Sequence, residues 1–294
     1  MKALDKLKEI STILASHASE PPDKEAEIIL LHSSNLDLVT LYRDNPELTP
    51  EQINAIDRIV VRRTNHEPLQ YITGYVDFMG LKLLVGKGVL IPRPETELMA
   101  ENATNKVGAI HESPLHILDL CTGSGCLALA LAKGFPDAMV YGVDISETAL
   151  SYARRNAELN EISNVSFIRG NLFGPFQNPP VSPFSKGGLI SPSNFFDLII
   201  SNPPYIKSED IKDLQPEIKD WEPQNALDGG PDGLGYYRII IPASRQFLKP
   251  NGMLMLELGI DCAGPVTAML KDAGYKTIEL IKDYAGVRRI AVAA

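Results

Sequence analysis

The first part of the chain alternates apolar and polar positions with helical spacing. Apolar residues recur every three or four positions from Leu4 to Leu14, and the pattern resumes from Ala26 to His32. A further helix is predicted after Thr49, because Thr49 and Gln52 have the residue types and the spacing of a capping box. We therefore predict a small N-terminal helical domain over residues 1–70.

From Tyr71 to Ile91 the pattern changes to β-prone residues punctuated by glycines, which predicts a β-hairpin linker over residues 71–92. Beyond this linker, short apolar runs alternate with segments of helical period. Such an alternation is typical of βαβ units on a parallel sheet. The predicted strands are 115–120, 139–143, 165–168, 196–201 and 253–256, and the predicted helices are 127–133, 147–159 and 236–248.

The end of the chain breaks this alternation. The apolar runs 276–281 and 287–292 have no helix between them and predict an antiparallel hairpin at the edge of the sheet. The predicted fold class is therefore α/β: a Rossmann-like, doubly wound and mostly parallel sheet over residues 93–294, with a C-terminal antiparallel hairpin. The helical bundle and the hairpin linker precede it. The segment 174–194, rich in Pro, Ser and Gly, is predicted to be a mobile surface insertion.

Composition and charge narrow the function classes. Of 294 residues, 44% are hydrophobic and 22% are charged, which is typical of a soluble globular protein and excludes collagen-like and disordered chains. No apolar stretch approaches the length of a membrane span, and the charges within Met1 to Ser16 argue against a signal peptide, so we expect no membrane partner. The net charge of −9 provides no positive field for nucleic acid, which disfavours direct nucleic-acid binding.

Cysteine and histidine usage argues against disulfide, metal and histidine chemistry. There are three cysteines, an odd number without a ligand-like cluster, so we predict neither a disulfide framework nor a metal site. This usage favours a reducing, cytoplasmic location. All five histidines precede residue 119 and belong to no site motif, and we therefore expect a mechanism that does not depend on histidine.

A glycine-rich segment marks the first candidate site. It lies where the predicted strand 115–120 ends and a helix begins; there, glycines allow a ligand to approach the backbone and the helix N-terminus offers unpaired N–H groups. We predict that it binds a nucleotide-like cofactor. Because Gly123, Gly125 and Ala128 also fit the dinucleotide fingerprint, this motif alone does not identify the cofactor. The candidate cofactor residues in it are Asp119, Cys121, Thr122, Gly123, Ser124 and Gly125.

Asp144 closes the next predicted strand, 139–143, about 20 residues after the glycine-rich segment. An acidic side chain at that position can accept hydrogen bonds from both ribose hydroxyls of a nucleotide. The competing interpretation, a helix cap, suits Ser146 better. We therefore predict that Asp144 binds a ribose.

A third motif, Asn202-Pro203-Pro204-Tyr205, follows the strand 196–201, at the edge where open α/β sheets bind ligands. The consecutive prolines fix the backbone and hence the direction of its carbonyls. A planar NH2 group needs two acceptors and a flat surface, which the Asn202 oxygen, the Pro203 carbonyl and the Tyr205 ring can provide. Hydride transfer has no use for this arrangement, so the motif argues against a dehydrogenase.

Taken in order, these motifs resemble the HemK/PrmC family of protein-(glutamine-N5) methyltransferases. The resemblance spans nearly the whole chain and rests on Arg93 to Glu97 (RPETE), Asp119 to Gly125, Asp144, Asn202 to Tyr205 and Glu222 to Leu227 (EPQNAL). It implies an enzyme that uses S-adenosyl-L-methionine to methylate the glutamine of the GGQ motif in class-1 peptide chain release factors. It also implies that the N-terminal helices dock this protein substrate.

The same resemblance assigns roles to single residues. Residues 121–125 are implied to surround the methionine part of the cofactor, Asp144 to hold the ribose, and Asn171 and Leu172 to lie against the adenine. The family commonly has Asp where Asn171 stands, but the amide still offers an acceptor oxygen. The residues implied to receive the substrate amide are Asn202, Pro203, Pro204 and Tyr205, of which Asn202, Pro203 and Tyr205 are the candidate catalytic residues and Asn202 also borders the cofactor.

Flanking segments are expected to shape the site without direct catalysis. The segment from Arg93 to Glu97 has the pattern of a helix start, with Pro94 in the first turn. The resemblance implies that it also covers the cofactor pocket. Glu222 and the glycine-rich run from Asp228 to Gly233 are expected to shape a loop near the active site.

The mechanism that we hypothesise is an in-line displacement in which the amide nitrogen attacks the sulfonium methyl group. Acceptors at Asn202 and Pro203 orient the nitrogen and stabilise the charge that develops on it. One alternative is a nucleic-acid adenine N6-methyltransferase, which needs the same acceptors but is disfavoured by the charge of −9. The other is a catalytically silent scaffold that binds S-adenosyl-L-methionine, against which the intact Asn202 to Tyr205 motif argues.

Overall fold

The computed structural model describes residues 1–17, 21–108, 114–177 and 194–294. Packing divides the chain into two units. The first, which we call the helical unit, comprises Met1–Tyr75 and Gln215–Trp221. The second, the sheet unit, comprises Val76–Leu214 and Glu222–Ala294.

Helices and strands occupy the following ranges. The helices are α1 (Ala3–Ala15), α2 (Pro22–Ser34), α3 (Leu38–Asp44), α4 (Pro50–Thr64), α5 (Leu69–Thr73), α6 (Pro94–Gly108), α7 (Cys126–Gly134), α8 (Glu147–Leu159), α9 (Gly174–Gln177), α10 (Pro216–Lys219), α11 (Gly235–Phe247) and α12 (Ala263–Asp272). The strands are β1 (Tyr75–Phe78), β2 (Leu81–Leu84), β3 (His116–Leu120), β4 (Met139–Asp144), β5 (Val165–Arg169), β6 (Phe196–Ser201), β7 (Leu248–Glu257), β8 (Ile278–Lys282) and β9 (Arg288–Ala293). Within the described ranges, no helix is both long and apolar enough to span a membrane.

The predicted start of α4 is confirmed at atomic detail. The Thr49 hydroxyl oxygen accepts a hydrogen bond from the Gln52 N–H at 3.2 Å, and the Gln52 side-chain oxygen accepts one from the Thr49 N–H at 2.9 Å. This reciprocal pair satisfies two N–H groups that a helix start leaves unpaired.

The predicted hairpin is wrong at its beginning. Tyr71 is the middle residue of α5, a short helix that follows Pro68 and ends at Gly74, whose φ of 83° terminates it. The two strands that pair after it are β1 and β2 alone. The residues around Tyr71 are β-prone, but they form a short helix because Pro68 begins it and Gly74 ends it.

The helical unit also includes a segment that is distant in the sequence. Arg63 on α4 is 7% exposed and forms ion pairs with Glu25 on α2 and with Glu217 on α10, both at 2.8 Å. Two carboxylates around one buried guanidinium keep the pKa of Arg63 raised although burial lowers it. This cluster fixes α10 to the helices that precede it.

Among the described residues, seven strands form the main sheet in the order β5-β4-β3-β6-β7-β9-β8. The pairs from β5 to β7 are parallel, and β9 pairs antiparallel with both β7 and β8. The predicted α/β fold with a mostly parallel sheet and a C-terminal antiparallel hairpin is thus confirmed. The predicted helix 147–159 coincides with α8, whereas the sequence pattern gave no indication of α12.

Helices cover both faces of this sheet. Along β6, Ile199 belongs to one hydrophobic cluster with α11, whereas its neighbours Leu198 and Ile200 belong to another with α6 and α7. Successive side chains of a strand point to opposite faces, so both faces of β6 are buried.

The register of the central strands places three loops at one edge. Leu120 of β3 is paired with Val143 of β4 on one side and with Ser201 of β6 on the other. The chain therefore leaves these three strands at the same level. β3 is also where the chain changes direction across the sheet, the position at which open α/β sheets bind ligands. Most of the predicted insertion, 178–193, lies outside the described residues.

Candidate active site

A pocket lies at this edge of the sheet unit and encloses about 950 Å³ of empty space, including the part open to solvent. It is bounded by the loops after β3, β4, β5 and β6 together with the start of α6. Of the residues predicted from sequence, its walls contain Asp119, Cys121, Thr122, Gly123, Ser124, Asp144, Asn171, Leu172, Asn202 and Pro204. The walls do not contain Gly125, Pro203 or Tyr205.

The glycine-rich loop after β3 has an unusual backbone. Cys121, Gly123 and Gly125 have φ angles of 60°, 56° and 84°, in the left-handed region that favours glycine. A Cβ built on Gly123 meets no atom within 4 Å, so this glycine leaves space beside the backbone. Gly125 instead serves packing, because a Cβ there would lie 3.1 Å from the side chains of Ala153 and Phe167.

Asp119 lies beneath this loop with an incompletely paired carboxylate. Its Oδ2 accepts hydrogen bonds from the Thr122 hydroxyl at 2.6 Å and from the Ala128 N–H at 3.2 Å. Its Oδ1 is buried and has no hydrogen-bond partner among the described residues. Burial, with a smaller contribution from the charge of Asp144, raises the pKa of Asp119 to about 7. A buried oxygen of this kind suits a ligand with a donor or a positive charge.

Asp144 stabilises the glycine-rich loop directly. Its Oδ2 accepts from the Gly123 N–H at 2.9 Å and its Oδ1 from the Ser146 N–H at 2.8 Å. The competing role of helix cap belongs to Ser146, whose hydroxyl oxygen accepts from the Ala149 N–H at 3.2 Å, as the sequence predicts. Burial raises the pKa of Asp144, and its hydrogen bonds with N–H groups lower it. Each carboxylate oxygen retains a lone pair for a ligand hydroxyl.

The Asn202 to Tyr205 loop is connected to two buried polar residues. The Asn202 Nδ2 donates to the Thr96 Oγ1 at 3.2 Å, and the Thr96 hydroxyl donates to the Glu257 Oε2 at 2.7 Å. The Tyr205 hydroxyl donates to the Glu257 Oε1 at 3.3 Å. Pro203 is buried. The Tyr205 hydroxyl is thus bound to a buried carboxylate, and Tyr205 is not among the residues of the pocket wall.

Glycines allow a second loop to pack against Tyr205. A Cβ on Gly229 would lie 2.7 Å from the Tyr205 Cα, and one on Gly233 would lie 2.4 Å from the Tyr205 carbonyl oxygen. From the other side, a Cβ on Gly259 would lie 2.8 Å from the Tyr205 Cδ2. Real Cβ atoms do not approach so closely, so Gly229 and Gly233, which face backbone atoms, leave no room for a side chain, and a Cβ on Gly259 would displace the Tyr205 ring. The run from Asp228 to Gly233 therefore shapes the site.

Glu222 fixes the segments that flank the pocket. It is 5% exposed, forms an ion pair with Arg93 and accepts a hydrogen bond from the Ile91 N–H at 3.2 Å. Arg93 itself lies in the pocket wall, as do Asn225 and Ala226 from the segment after Glu222. The ion pair therefore joins the RPETE and EPQNAL segments beside the pocket.

Sequence reasoning did not find every residue of the site. Tyr236 and residues 88–90 lie in the pocket wall, and no signal in the sequence marks them. Thr96 lies in the RPETE segment, but its contact with Asn202 could not be foreseen. Glu257 did carry a signal, because it closes an apolar strand as Asp144 does. Among the described residues, no three His, Cys, Asp or Glu side chains are grouped as a metal site requires.

Two family models match the chain. The model described as "PrmC N-terminal domain" matches residues 5–74, and the model described as "Methyltransferase domain" matches residues 111–274. Among curated proteins, the Release factor glutamine methyltransferase of Thermodesulfovibrio yellowstonii is 42% identical over 292 residues, which are 99% of this chain and 98% of the relative. That of Geobacter sulfurreducens is 42% identical over 279 residues, 94% of this chain and 91% of the relative.

Solved structures of methyltransferases have a similar fold. The hMettl16 catalytic domain, crystallised in complex with MAT2A 3'UTR hairpin 6, has a TM-score of 0.55 at 16% identity and covers 86% of this chain and 85% of its own. A SAM Dependent Methyltransferase from Agrobacterium tumefaciens has a TM-score of 0.50 at 14% identity, with coverages of 74% and 69%. At such identities the likeness concerns the fold alone, and it agrees with the Rossmann-like sheet described above.

Proposed function

The chain belongs to the release factor glutamine methyltransferase family, and on that premise we propose that it methylates the N5 amide of the GGQ glutamine in class-1 peptide chain release factors. One observation carries this proposal. Relatives named release factor glutamine methyltransferase align with the chain over 94–99% of its residues, so both of its units are matched. S-adenosyl-L-methionine is the methyl donor.

The pocket fits this cofactor. The Asp119 Oδ1, unpaired within the described part of the chain, suits the cationic methionine part. The Asp144 carboxylate has lone pairs for the ribose hydroxyls, and the open space beside Gly123 lets a ligand approach the backbone. Asn171 and Leu172 in the pocket wall are assigned to the adenine. When bound, the cofactor supplies an electrophilic methyl group on a sulfonium centre.

Asn202 is the residue to which we assign the substrate amide. Because its Nδ2 donates to Thr96, its Oδ1 is available as an acceptor for an N–H of the substrate. The Pro203 carbonyl is assigned as the second acceptor. Two acceptors fix the orientation of a planar amide and stabilise the positive charge that develops on its nitrogen during transfer.

No strong base is needed at this site. The nitrogen becomes very acidic once it carries the methyl group, so its proton passes to a neighbouring acceptor or to water. Tyr205 is not the base, because burial and the charge of Glu257 raise the pKa of Tyr205 well above its usual range. Its protonated hydroxyl donates to Glu257 instead, and Tyr205 contributes by holding the loop.

The helical unit is assigned to docking of the release factor, and residues 121–125 and 202–205 to the reaction. Binding energy from a surface remote from the reacting amide can be used to place that amide in the pocket. Since release factors act in translation, we propose the cytoplasm as the location, which agrees with the three free thiols of Cys121, Cys126 and Cys262.

The test is methyl transfer from labelled S-adenosyl-L-methionine to a purified class-1 release factor. A release factor with the GGQ glutamine changed to alanine is the matched control, and DNA and RNA are offered in parallel. Label that depends on the glutamine supports the proposal. Label on nucleic acid alone would assign an adenine N6-methyltransferase, and cofactor binding without transfer would assign a silent scaffold.

A further inference from the structure

Three side chains of the sheet unit form a chain of hydrogen bonds behind the Asn202 to Tyr205 loop. Asn202 follows β6, Thr96 lies in the first turn of α6, and Glu257 ends β7. Thr96 and Glu257 are each 1% exposed, so their polar atoms must find partners within the protein. The chain runs from the Asn202 Nδ2 through the Thr96 Oγ1 to the Glu257 Oε2.

The direction of these hydrogen bonds follows from the chemistry of the groups. When Glu257 is ionised, above its pKa of about 7, its carboxylate only accepts, so the single hydroxyl proton of Thr96 is directed to Glu257. The Thr96 oxygen can then only accept from Asn202, which requires the NH2 group of the amide to face it. The opposite end of the same amide, its Oδ1, is thereby turned away from Thr96.

We propose that Thr96 and Glu257 are positioning residues that hold the Asn202 amide in the one orientation whose oxygen accepts a hydrogen bond from the substrate amide. This inference rests on the proposed function. A reversed Asn202 amide would present two N–H donors to the substrate NH2 group and repel it. The hydroxyl of Thr96 thus determines whether the site accepts an amide nitrogen, although Thr96 does not act on the reacting atoms.

The same carboxylate also holds Tyr205. The Glu257 Oε1 accepts from the Tyr205 hydroxyl at 3.3 Å, and the Glu257 main-chain carbonyl accepts from the Tyr237 hydroxyl at 2.7 Å. Glu257 therefore fixes the loop at both ends, through Thr96 at Asn202 and directly at Tyr205. Because Glu257 is part of β7, the orientation of the acceptor loop is set by the sheet itself.

The decisive experiment compares Thr96→Val with Thr96→Ser in single-turnover methyl transfer to the release factor. Valine keeps the shape and removes the hydroxyl, and serine keeps the hydroxyl. We expect Thr96→Val to slow transfer by about 10-fold or more, the effect of one lost orienting hydrogen bond. Thr96→Ser should restore most of that rate. Thr96 also lies in the pocket wall, so the affinity for S-adenosyl-L-methionine is measured in both variants; we expect it to stay within about twofold of wild type, because the Thr96 hydroxyl is hydrogen-bonded to Asn202 and Glu257.

A double-mutant cycle with Asn202→Ala separates positioning from general structural damage. If Thr96 acts through Asn202, adding Thr96→Val to Asn202→Ala should slow transfer by less than about twofold. A wild-type rate in Thr96→Val, or a slowing that is fully additive in the double variant, would overturn the inference. If Thr96→Val does not fold, as judged by circular dichroism, Thr96→Ala replaces it with the same expectations.

The wild-type protein distinguishes the two possible failures. Absence of glutamine-dependent transfer by the wild type would refute the proposed function and this inference together. Normal transfer by both the wild type and Thr96→Val would refute only the role of Thr96 and Glu257.

Discussion

Asp119 and Glu257 are two buried carboxylates of the sheet unit, each at or near the end of a strand, and their hydrogen-bond partners differ. Asp119 lies in β3 and Glu257 closes β7, each is 1% exposed, and burial raises the pKa of each to about 7. Yet both oxygens of Glu257 accept hydrogen bonds, whereas one oxygen of Asp119 has no partner among the described residues. A buried polar atom without a partner destabilises the folded state, so the Asp119 oxygen is best explained by a ligand that completes it.

This difference in hydrogen-bond partners indicates two different roles for the carboxylates, binding of the cofactor by Asp119 and ordering of the acceptor loop by Glu257. Asp119 lies beneath the glycine-rich loop that we assign to the cofactor, and its Oδ1, unpaired among the described residues, can accept a hydrogen bond from that ligand. Glu257 is already satisfied by Thr96 and Tyr205 and orders the acceptor loop before any ligand arrives. A buried carboxylate can thus bind a ligand or preorganise a site, and the pairing of its oxygens indicates which.

The largest effect is expected on the acceptor side. Asn202→Ala should slow methyl transfer by roughly 100-fold or more, because it removes an acceptor aimed at charge that develops during transfer. The affinity for S-adenosyl-L-methionine should change little. Single-turnover rates and calorimetric titration measure the two quantities, and the exposed Asn251, changed to alanine, serves as the control. A rate close to wild type would remove Asn202 from the mechanism.

Asp119→Asn should lower mainly the affinity for the cofactor, whereas Asn202→Ala lowers mainly the rate of methyl transfer. Losing one charge-assisted hydrogen bond costs about 1.5–3 kcal/mol, so the affinity for S-adenosyl-L-methionine should fall roughly 10- to 100-fold. Glu257→Gln is the matched comparison, since it also neutralises a buried carboxylate of this pocket. Calorimetry should find its cofactor affinity within about twofold of wild type. Equal losses in the two variants would abolish the distinction between the carboxylates.

The pH dependence of stability tests the raised pKa that Asp119 and Glu257 share. The folded-state pKa of each carboxyl is about 7, above the ordinary 3.8 of Asp and 4.5 of Glu. The folded state therefore binds these protons more tightly than the unfolded state does. The resulting stabilisation is complete at pH values below the unfolded pKa, and it is lost as the pH rises through 7. Between pH 6 and pH 8.5 the ionisation of each group should lower the free energy of unfolding by about 1 kcal/mol.

Urea unfolding of the cofactor-free protein at the two pH values measures this loss. Asp119→Asn should remove its share of the difference, because the amide does not titrate. If wild type and Asp119→Asn lose equal stability between pH 6 and pH 8.5, Asp119 is already ionised at pH 6.

The sequence predicts the cofactor side of the pocket better than the acceptor side. Asp119, Gly123 and Asp144 lie within one βαβ unit, where strand ends and helix starts follow local rules, and all three line the pocket. Thr96 and Glu257 are 161 positions apart and meet only because α6 and β7 are neighbours in the fold. No periodicity or spacing encodes such a contact, which exists only in the folded chain.

Individual residues show the same limit. Tyr205 is predicted to place a flat ring beside the substrate amide, and the structure adds a contact that the motif does not encode, from the Tyr205 hydroxyl to Glu257. Gly125 is predicted to border the cofactor, and the structure adds that a Cβ there would lie 3.1 Å from the side chains of Ala153 and Phe167, so this glycine also serves packing. A motif places a residue near a site, whereas the packing around it decides which way its side chain points.

The smallest effect is expected at Gly259, which tests whether the acceptor loop must be held from behind. An alanine Cβ there would lie 2.8 Å from the Tyr205 Cδ2, so the Tyr205 ring must shift, which disturbs its hydrogen bond with Glu257. Overpacking of this kind costs roughly 1 kcal/mol at the low end, which corresponds to about fivefold in rate. Gly264→Ala in α12 is the control, because a Cβ there meets no atom within 4 Å. Single-turnover transfer should slow in Gly259→Ala only, with unchanged cofactor affinity. Equal rates in the two variants would mean that the position of the Tyr205 ring does not matter, and that Glu257 acts on the loop through Thr96 alone.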